Sequence, residues 1–138
     1  MKTIIFENDI KVFYVEAESF PDGIEAAHKK LHELVPFSDK RKYFGISRPE
    51  NGHIVYRAAA EEVIIGEAER LNCKILVLEK GNYISVTIED YMQHIEGIGM
   101  AFEELLSLTG IDQQGYCVEW YFNDKDVRCM LRLASEEN

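Results

Sequence analysis

The sequence is poor in the residues that covalent and metal chemistry use. Its 138 residues include three cysteines, Cys73, Cys117 and Cys129, an odd number with no CxxC spacing. That argues against a disulfide scaffold or a zinc ribbon, and reduced thiols are the simplest account. The four histidines form no HExxH pattern. His28 and His32, four apart on an expected helix, could clasp a metal, but no third ligand is evident. No metal or cofactor is therefore expected. Spacing proposes no Ser-His-Asp or Cys-His arrangement. There is no signal-peptide pattern and no apolar run near the roughly eighteen residues that span a bilayer, so a cytoplasmic protein without a membrane partner is expected.

Basic residues are also scarce. Fifteen Lys and Arg stand against 25 Asp and Glu, a formal net charge of −10. A nucleic-acid binder needs clustered positive charge, because phosphate neutralisation supplies most of its affinity. The basic run Lys40-Arg41-Lys42 is short and reads as a solvated loop, so no direct nucleic-acid partner is expected. The acidic balance suits a cationic ligand or a basic protein partner, or serves solubility alone.

What remains is ordinary for one soluble domain covering residues 1–138, with 46% hydrophobic and 29% charged residues. Strands are expected at Lys2 to Phe6, Lys11 to Phe20, Lys42 to Arg48, His53 to Glu61, Lys74 to Leu78 and Asn82 to Glu89. Pro49-Glu50-Asn51-Gly52 reads as a turn between the third and fourth of these. Helices are expected over Ile24 to Leu34, N-capped by Asp22, and over Ile95 to Leu108. Residues 62–72 read as loop with a helical turn, and Ser135 to Asn138 as a polar tail.

The stretch Tyr116 to Leu133 reads as a β-hairpin around Asn123-Asp124-Lys125-Asp126. With those four residues as the loop, Trp120 faces Cys129 and Glu119 faces Met130. Val118, Trp120, Phe122, Val127, Cys129, Leu131 and Leu133 then share a core face. Cys117, Glu119, Tyr121, Arg128, Met130 and Arg132 share the other. A slip of one residue would exchange Glu119 and Trp120 between faces.

The two halves, residues 10–61 and 74–133, superimpose as β-α-β-β units. Phe20 falls on Tyr91, and Ile24, Ala27, Leu31 and Leu34 fall on Ile95, Ile98, Phe102 and Leu105. Duplication accounts for this spacing. The expected fold is α+β, a curved antiparallel sheet with two helices on one face and a groove on the other. The groove face would gather Tyr14, Glu16, Tyr43 and Tyr56 from the first half and Tyr83, Glu119, Tyr121 and Met130 from the second. Tyrosine rings attract cations and flat apolar molecules, and a carboxylate neutralises a cation. The alternative for Glu119 is a salt bridge to Arg128 and Arg132 across the hairpin.

The β-α-β-β duplication, Gly81-Asn82-Tyr83, and Val118-Glu119-Trp120-Tyr121 followed by Asn123-Asp124 resemble the GyrI-like small-molecule-binding domain. That domain is the effector-binding module of AraC-type and MerR-type multidrug-sensing regulators. Phe20-Pro21-Asp22-Gly23-Ile24 and Phe44-Gly45-Ile46-Ser47-Arg48-Pro49 resemble stand-alone bacterial members, and the likeness spans about residues 10–133. It implies a pocket between the repeats for amphipathic, often cationic compounds. Glu119 would be the acidic pocket residue, with Tyr121 and Tyr83 as its aromatic companions. No DNA-binding helix-turn-helix is expected beside the domain, so DNA reading is not implied. Other members of the family shield DNA gyrase or hydrolyse strained genotoxins with a pocket glutamate. The expectation is thus a binding protein, with a hydrolase using Glu119 as general base, or a gyrase-modulating protein partner, as alternatives.

Overall fold

The computed structural model describes residues 1–134, and the expected polar tail Ser135–Asn138 lies outside them. Alternating apolar residues form eight strands: β1 (Lys2–Phe6), β2 (Ile10–Glu16), β3 (Tyr43–Glu50), β4 (His53–Glu61), β5 (Lys74–Leu78), β6 (Gly81–Ile88), β7 (Cys117–Trp120) and β8 (Val127–Arg132). Their pairings are all antiparallel, in the order β1-β6-β8-β7-β3-β4-β2-β5. The fold is α+β, as expected. In each half the strands lie first, third, second, and the halves meet where β3 pairs with β7. Two copies of one unit related by a two-fold axis would give this order, and we propose duplication as its origin.

Asn51-Gly52 closes the β3–β4 hairpin with positive φ at both residues, 53° and 83°. This is the two-residue turn whose twist matches the flanking strands, and Asn-Gly favours it. Pro49 and Glu50 belong to β3 rather than to the turn, with Pro49 opposite Ile54.

Helix α1 (Ile24–Leu34) covers Phe13, Tyr43, Ala58 and Ala60 with Ala27 and Leu31. Its N-cap is Gly23, without the side-chain bond expected of Asp22. A longer-range equivalent, α3 (Glu96–Leu106), covers Val127, Cys129 and Leu131 with Ala101 and Leu105. Leu31 and Leu105 are fully covered, each contributing about 1.5–3 kcal/mol by burial. Both helices lie on one face. The sheet curls around the other, bringing Phe6 of β1 within 5.6 Å of Trp120, ring centre to ring centre. No helix among the described residues is long and apolar enough to cross a membrane.

The last hairpin departs from its expected register. Glu119 pairs with Cys129 and Trp120 with Arg128, one residue away from the four-residue-loop alignment. The Asn123 side chain is the cause. Its Oδ1 accepts the amides of Lys125 (2.9 Å) and Asp126 (2.7 Å), which builds a wider turn. Tyr121 keeps its backbone bond to β3, donating to the Tyr43 carbonyl at 3.0 Å. Glu119 and Tyr121 therefore face the helices, and Trp120 the concave side.

Residues 62–72 contain α2 (Glu67–Arg70), a single helical turn. Glu67 is 2% exposed and takes a two-pronged ion pair from Arg41, both bonds 2.9 Å. It also accepts the amides of Val63 and Ile64 at 2.8 Å each. Arg41 is thus a clamp between the α1–β3 loop and α2, not a solvated residue.

Candidate ligand site around Glu119

One row of cross-strand neighbours runs over the helix-bearing face: Val15, Ala58, Gly45, Glu119, Cys129, Val86. Glu119 is the single charged residue in it. It sits on the central strand pair, between the areas the two helices cover, and is 8% exposed.

Two tyrosines hold the carboxylate. Tyr56 donates to Oε1 at 2.9 Å, and Tyr121 donates to the same oxygen. His28 Nε2 lies 2.8 Å from the Tyr56 hydroxyl. Because Tyr56 spends its proton on Glu119, His28 must be the donor, neutral and protonated at Nε2. Among the described residues no base pairs with Glu119, and its Oε2 has no hydrogen-bond partner. Burial raises the carboxyl's pKa, and the hydrogen bonds from Tyr121 and Tyr56 oppose that rise. The two hydroxyls are pushed up in turn, by burial first and then by the carboxylate beside them.

Aromatic rings surround this carboxylate. Phe20 stacks on Tyr56 (6.2 Å), Tyr91 packs on Tyr121 (5.3 Å), and the His28 ring meets the edges of both tyrosines (5.7 and 5.4 Å). Phe20 precedes α1 and Tyr91 precedes α3, the two positions that the proposed duplication aligns. Gly45 makes the close approach feasible, since a Cβ there would lie 2.7 Å from Glu119 Oε1 and closer still to the Tyr56 hydroxyl. Gly45→Ala is expected to destabilise the protein by about 1–3 kcal/mol through overpacking, measured by denaturant unfolding. Unchanged stability would show that Tyr56 and Glu119 have room to shift.

His28 should titrate visibly. Burial, then the neighbouring His32, lowers its pKa from 6.5 to about 4. A base kept neutral in the fold contributes stability that is complete above its unfolded pKa. That contribution is lost as pH falls from 6.5 towards about 4, on the order of 3 kcal/mol by linkage. Acid unfolding of wild type should steepen over this window, and His28→Gln should remove the steepening. Parallel curves for the two proteins would contradict the assignment.

The expected site residues separate into two groups. Glu119, Tyr121 and Tyr56 come together. Tyr43 shares their face but is buried away from the carboxylate, its hydroxyl accepting the Ser38 amide at 2.8 Å. Tyr14, Tyr83, Glu16 and Met130 belong to the opposite face. Met130 is fully buried in the concave core, Tyr83 donates to the Glu79 carbonyl at 2.6 Å, and Glu16 is exposed. The salt-bridge alternative for Glu119 does not hold. Arg128 lies over Phe122 and Trp120, at 3.9 and 5.0 Å, and Arg132 bonds to the Lys80 carbonyl. Sequence reasoning places Gly45 on the groove face with Tyr56 but misses His28, Phe20 and Tyr91 as neighbours of Glu119. The Phe20–Tyr91 correspondence between repeats was the signal that would have found two of them.

No sequence-family profile matches the chain, and no curated protein matches it in sequence. Solved structures do match. An integron cassette protein from the mobile metagenome of Vibrio cholerae superimposes with a TM-score of 0.68 at 13% identity, over 96% of this chain and 94% of that one. SAV2435, solved bound to tetraphenylphosphonium, gives 0.65 at 9% identity, over 97% and 93%. The chain shares the fold of these two proteins, in keeping with the fold that the GyrI-like resemblance implies. A Staphylococcus aureus MU50 protein, provisionally described as a bacterial transcription regulation protein, gives 0.59 at 10% identity, over 97% of each chain. A hydrolase from Listeria innocua gives 0.52 at 10% identity, over 96% and 90%.

Proposed function

We propose that this GyrI-like protein binds an amphipathic organic cation, with Glu119 as counter-charge and Phe20, Tyr56, Tyr91 and Tyr121 as aromatic walls. The observation that carries this reading is a buried carboxylate without a basic partner among the described residues. Such a charge is costly unless something compensates it. Two hydroxyls compensate in part, and an organic cation against the open Oε2 would complete the arrangement. Ring faces add attraction for the same charge. The net charge of −10 favours approach of cations from solution. The phosphonium held by SAV2435 is of this chemical class. Phe20 and Tyr91 pack against the tyrosine pair, so a ligand gains access by moving one of them. In this reading the protein is an effector-binding unit, suited to sensing or sequestering its ligand.

The test is a calorimetric titration with tetraphenylphosphonium and with neutral triphenylphosphine oxide. Saturable binding of the cation, about tenfold or more tighter than the oxide, is expected. Equal affinity would remove charge recognition from the account. A second reading, hydrolysis with Glu119 as general base, is favoured by its raised pKa and by the hydrolase of like fold. Mass analysis of incubations with reactive electrophiles separates the two, since a binding protein returns them at the rate of the buffer control.

A further inference from the structure

The concave face, opposite Glu119, carries a groove of about 420 Å³ lined by three arginines. That volume is in the range of small-molecule sites, about 300–1,000 Å³. Its lining includes Arg48, Arg57 and Arg132, against the carboxylates of Glu79 and Asp112, with Tyr14 and Tyr116 as aromatic walls. Arg57 is only 8% exposed, yet its Nε has no hydrogen-bond partner. Its two terminal nitrogens donate to Glu50 at 2.8 and 3.1 Å. Arg48 shares that same carboxylate through Nε at 3.3 Å and donates to the Gln114 carbonyl from Nη1 at 3.1 Å. One carboxylate therefore serves two guanidiniums. The guanidinium of Arg48 lies 4.1 Å above the Tyr116 ring, and that of Arg57 lies 5.2 Å from Tyr14. Arg132 is held by the Lys80 carbonyl at 2.9 and 3.1 Å, with Asp112 and Glu79 farther off at 3.5 and 3.8 Å.

We propose that this groove binds an aryl monocarboxylate, its carboxylate taken by Arg57 and Arg48 and its ring lodged against Tyr14 and Tyr116. Three features agree. Guanidinium forks match carboxylate geometry and keep several N–H groups after their present bonds are counted. The buried Nε of Arg57 lacks the acceptor that a buried donor requires. The stacked tyrosines hold both guanidinium planes in place and offer flat apolar surface. The site shares no residue with the Glu119 cluster, so it stands or falls independently of the cation reading.

The probe is 2-naphthoate, with neutral 2-naphthamide as its isostere, titrated by calorimetry into the full chain. Saturable one-to-one binding is expected, with the amide weaker by about tenfold or more. Arg48→Gln, a change at a half-exposed side chain, should lower naphthoate affinity by a similar factor. Amide NMR shifts of the wild type locate the probe without any variant, and they should centre on Val77, Gly115 and Tyr116. Failure of naphthoate to saturate, equal affinity for the amide, undiminished binding to Arg48→Gln, or shifts centred on His28 and Glu119 would each overturn the proposal.

Discussion

Glu119→Gln is expected to lower tetraphenylphosphonium affinity by about a hundredfold while making the empty protein more stable. The affinity figure follows from removing one partner of a desolvated charge pair, a loss of about 2–5 kcal/mol. The stability gain follows from the direction of the pKa shift. Glu119 ionises less readily in the fold than in the unfolded chain, because burial withholds water from the charged form. An acid with a raised folded pKa subtracts nothing when protonated in both states. Its cost grows as pH rises above the ordinary carboxylate value of 4.5. Glutamine keeps the shape and the carbonyl acceptor for both tyrosine hydroxyls, without the charge. The variant should therefore match wild type near pH 3 and exceed it near neutrality, by on the order of 1 kcal/mol. Denaturant unfolding at the two pH values, beside calorimetric titration, reads both effects. A less stable variant with intact cation binding would make Glu119 a structural residue.

The second large effect concerns the clamp on α2. Glu67→Ala removes the partner of Arg41, whose side chain is 12% exposed, and strips the acceptor from the Val63 and Ile64 amides. Breaking a buried pair on one side leaves the other charge without compensation, at a cost of about 3–5 kcal/mol. The Arg41 bonds, with the two amides, also hold Glu67 at a pKa of about 2. That contribution is complete above 4.5 and disappears as pH falls towards 2. Wild type should thus lose stability over that acid range faster than the alanine variant. A drop of under 1 kcal/mol at neutral pH, read by urea unfolding, would mean that Arg41 finds water or another acceptor at little cost.

The sequence carried the architecture well, for physical reasons that particular residues show. Ile84, Val86 and Ile88 alternate, and Ile24, Ala27 and Leu31 recur at helical spacing, so their periods identified strand and helix directly. The expected turn Pro49-Glu50-Asn51-Gly52 marked the hairpin, though only Asn51-Gly52, a pair suited to positive φ twice, makes the turn itself. The β7–β8 register was not legible in the same way. It depends on Asn123 closing a wider turn with its side chain, and one residue of slip moves every side chain to the other face. That slip is why Glu119 was expected beside Tyr14, Tyr83 and Met130. The structure sets it beside Tyr56, Tyr121 and His28 instead. Glu119 and Tyr121 were recognisable through the family resemblance. His28 was not, because its part in the cluster comes from a contact with Tyr56, 28 residues away. Arg41 looked solvated because nothing local in the chain reveals that Glu67 folds back onto it.

The central claim is that a buried, ionisable Glu119 recognises a cation. The most direct measurement is the affinity for tetraphenylphosphonium as a function of pH, in wild type and in Glu119→Gln. A cation binds the ionised carboxylate better, so wild-type affinity should rise with pH from the ordinary carboxylate range upward and then level. The glutamine variant should bind weakly, with no such rise. Identical pH profiles for the two proteins would contradict the account.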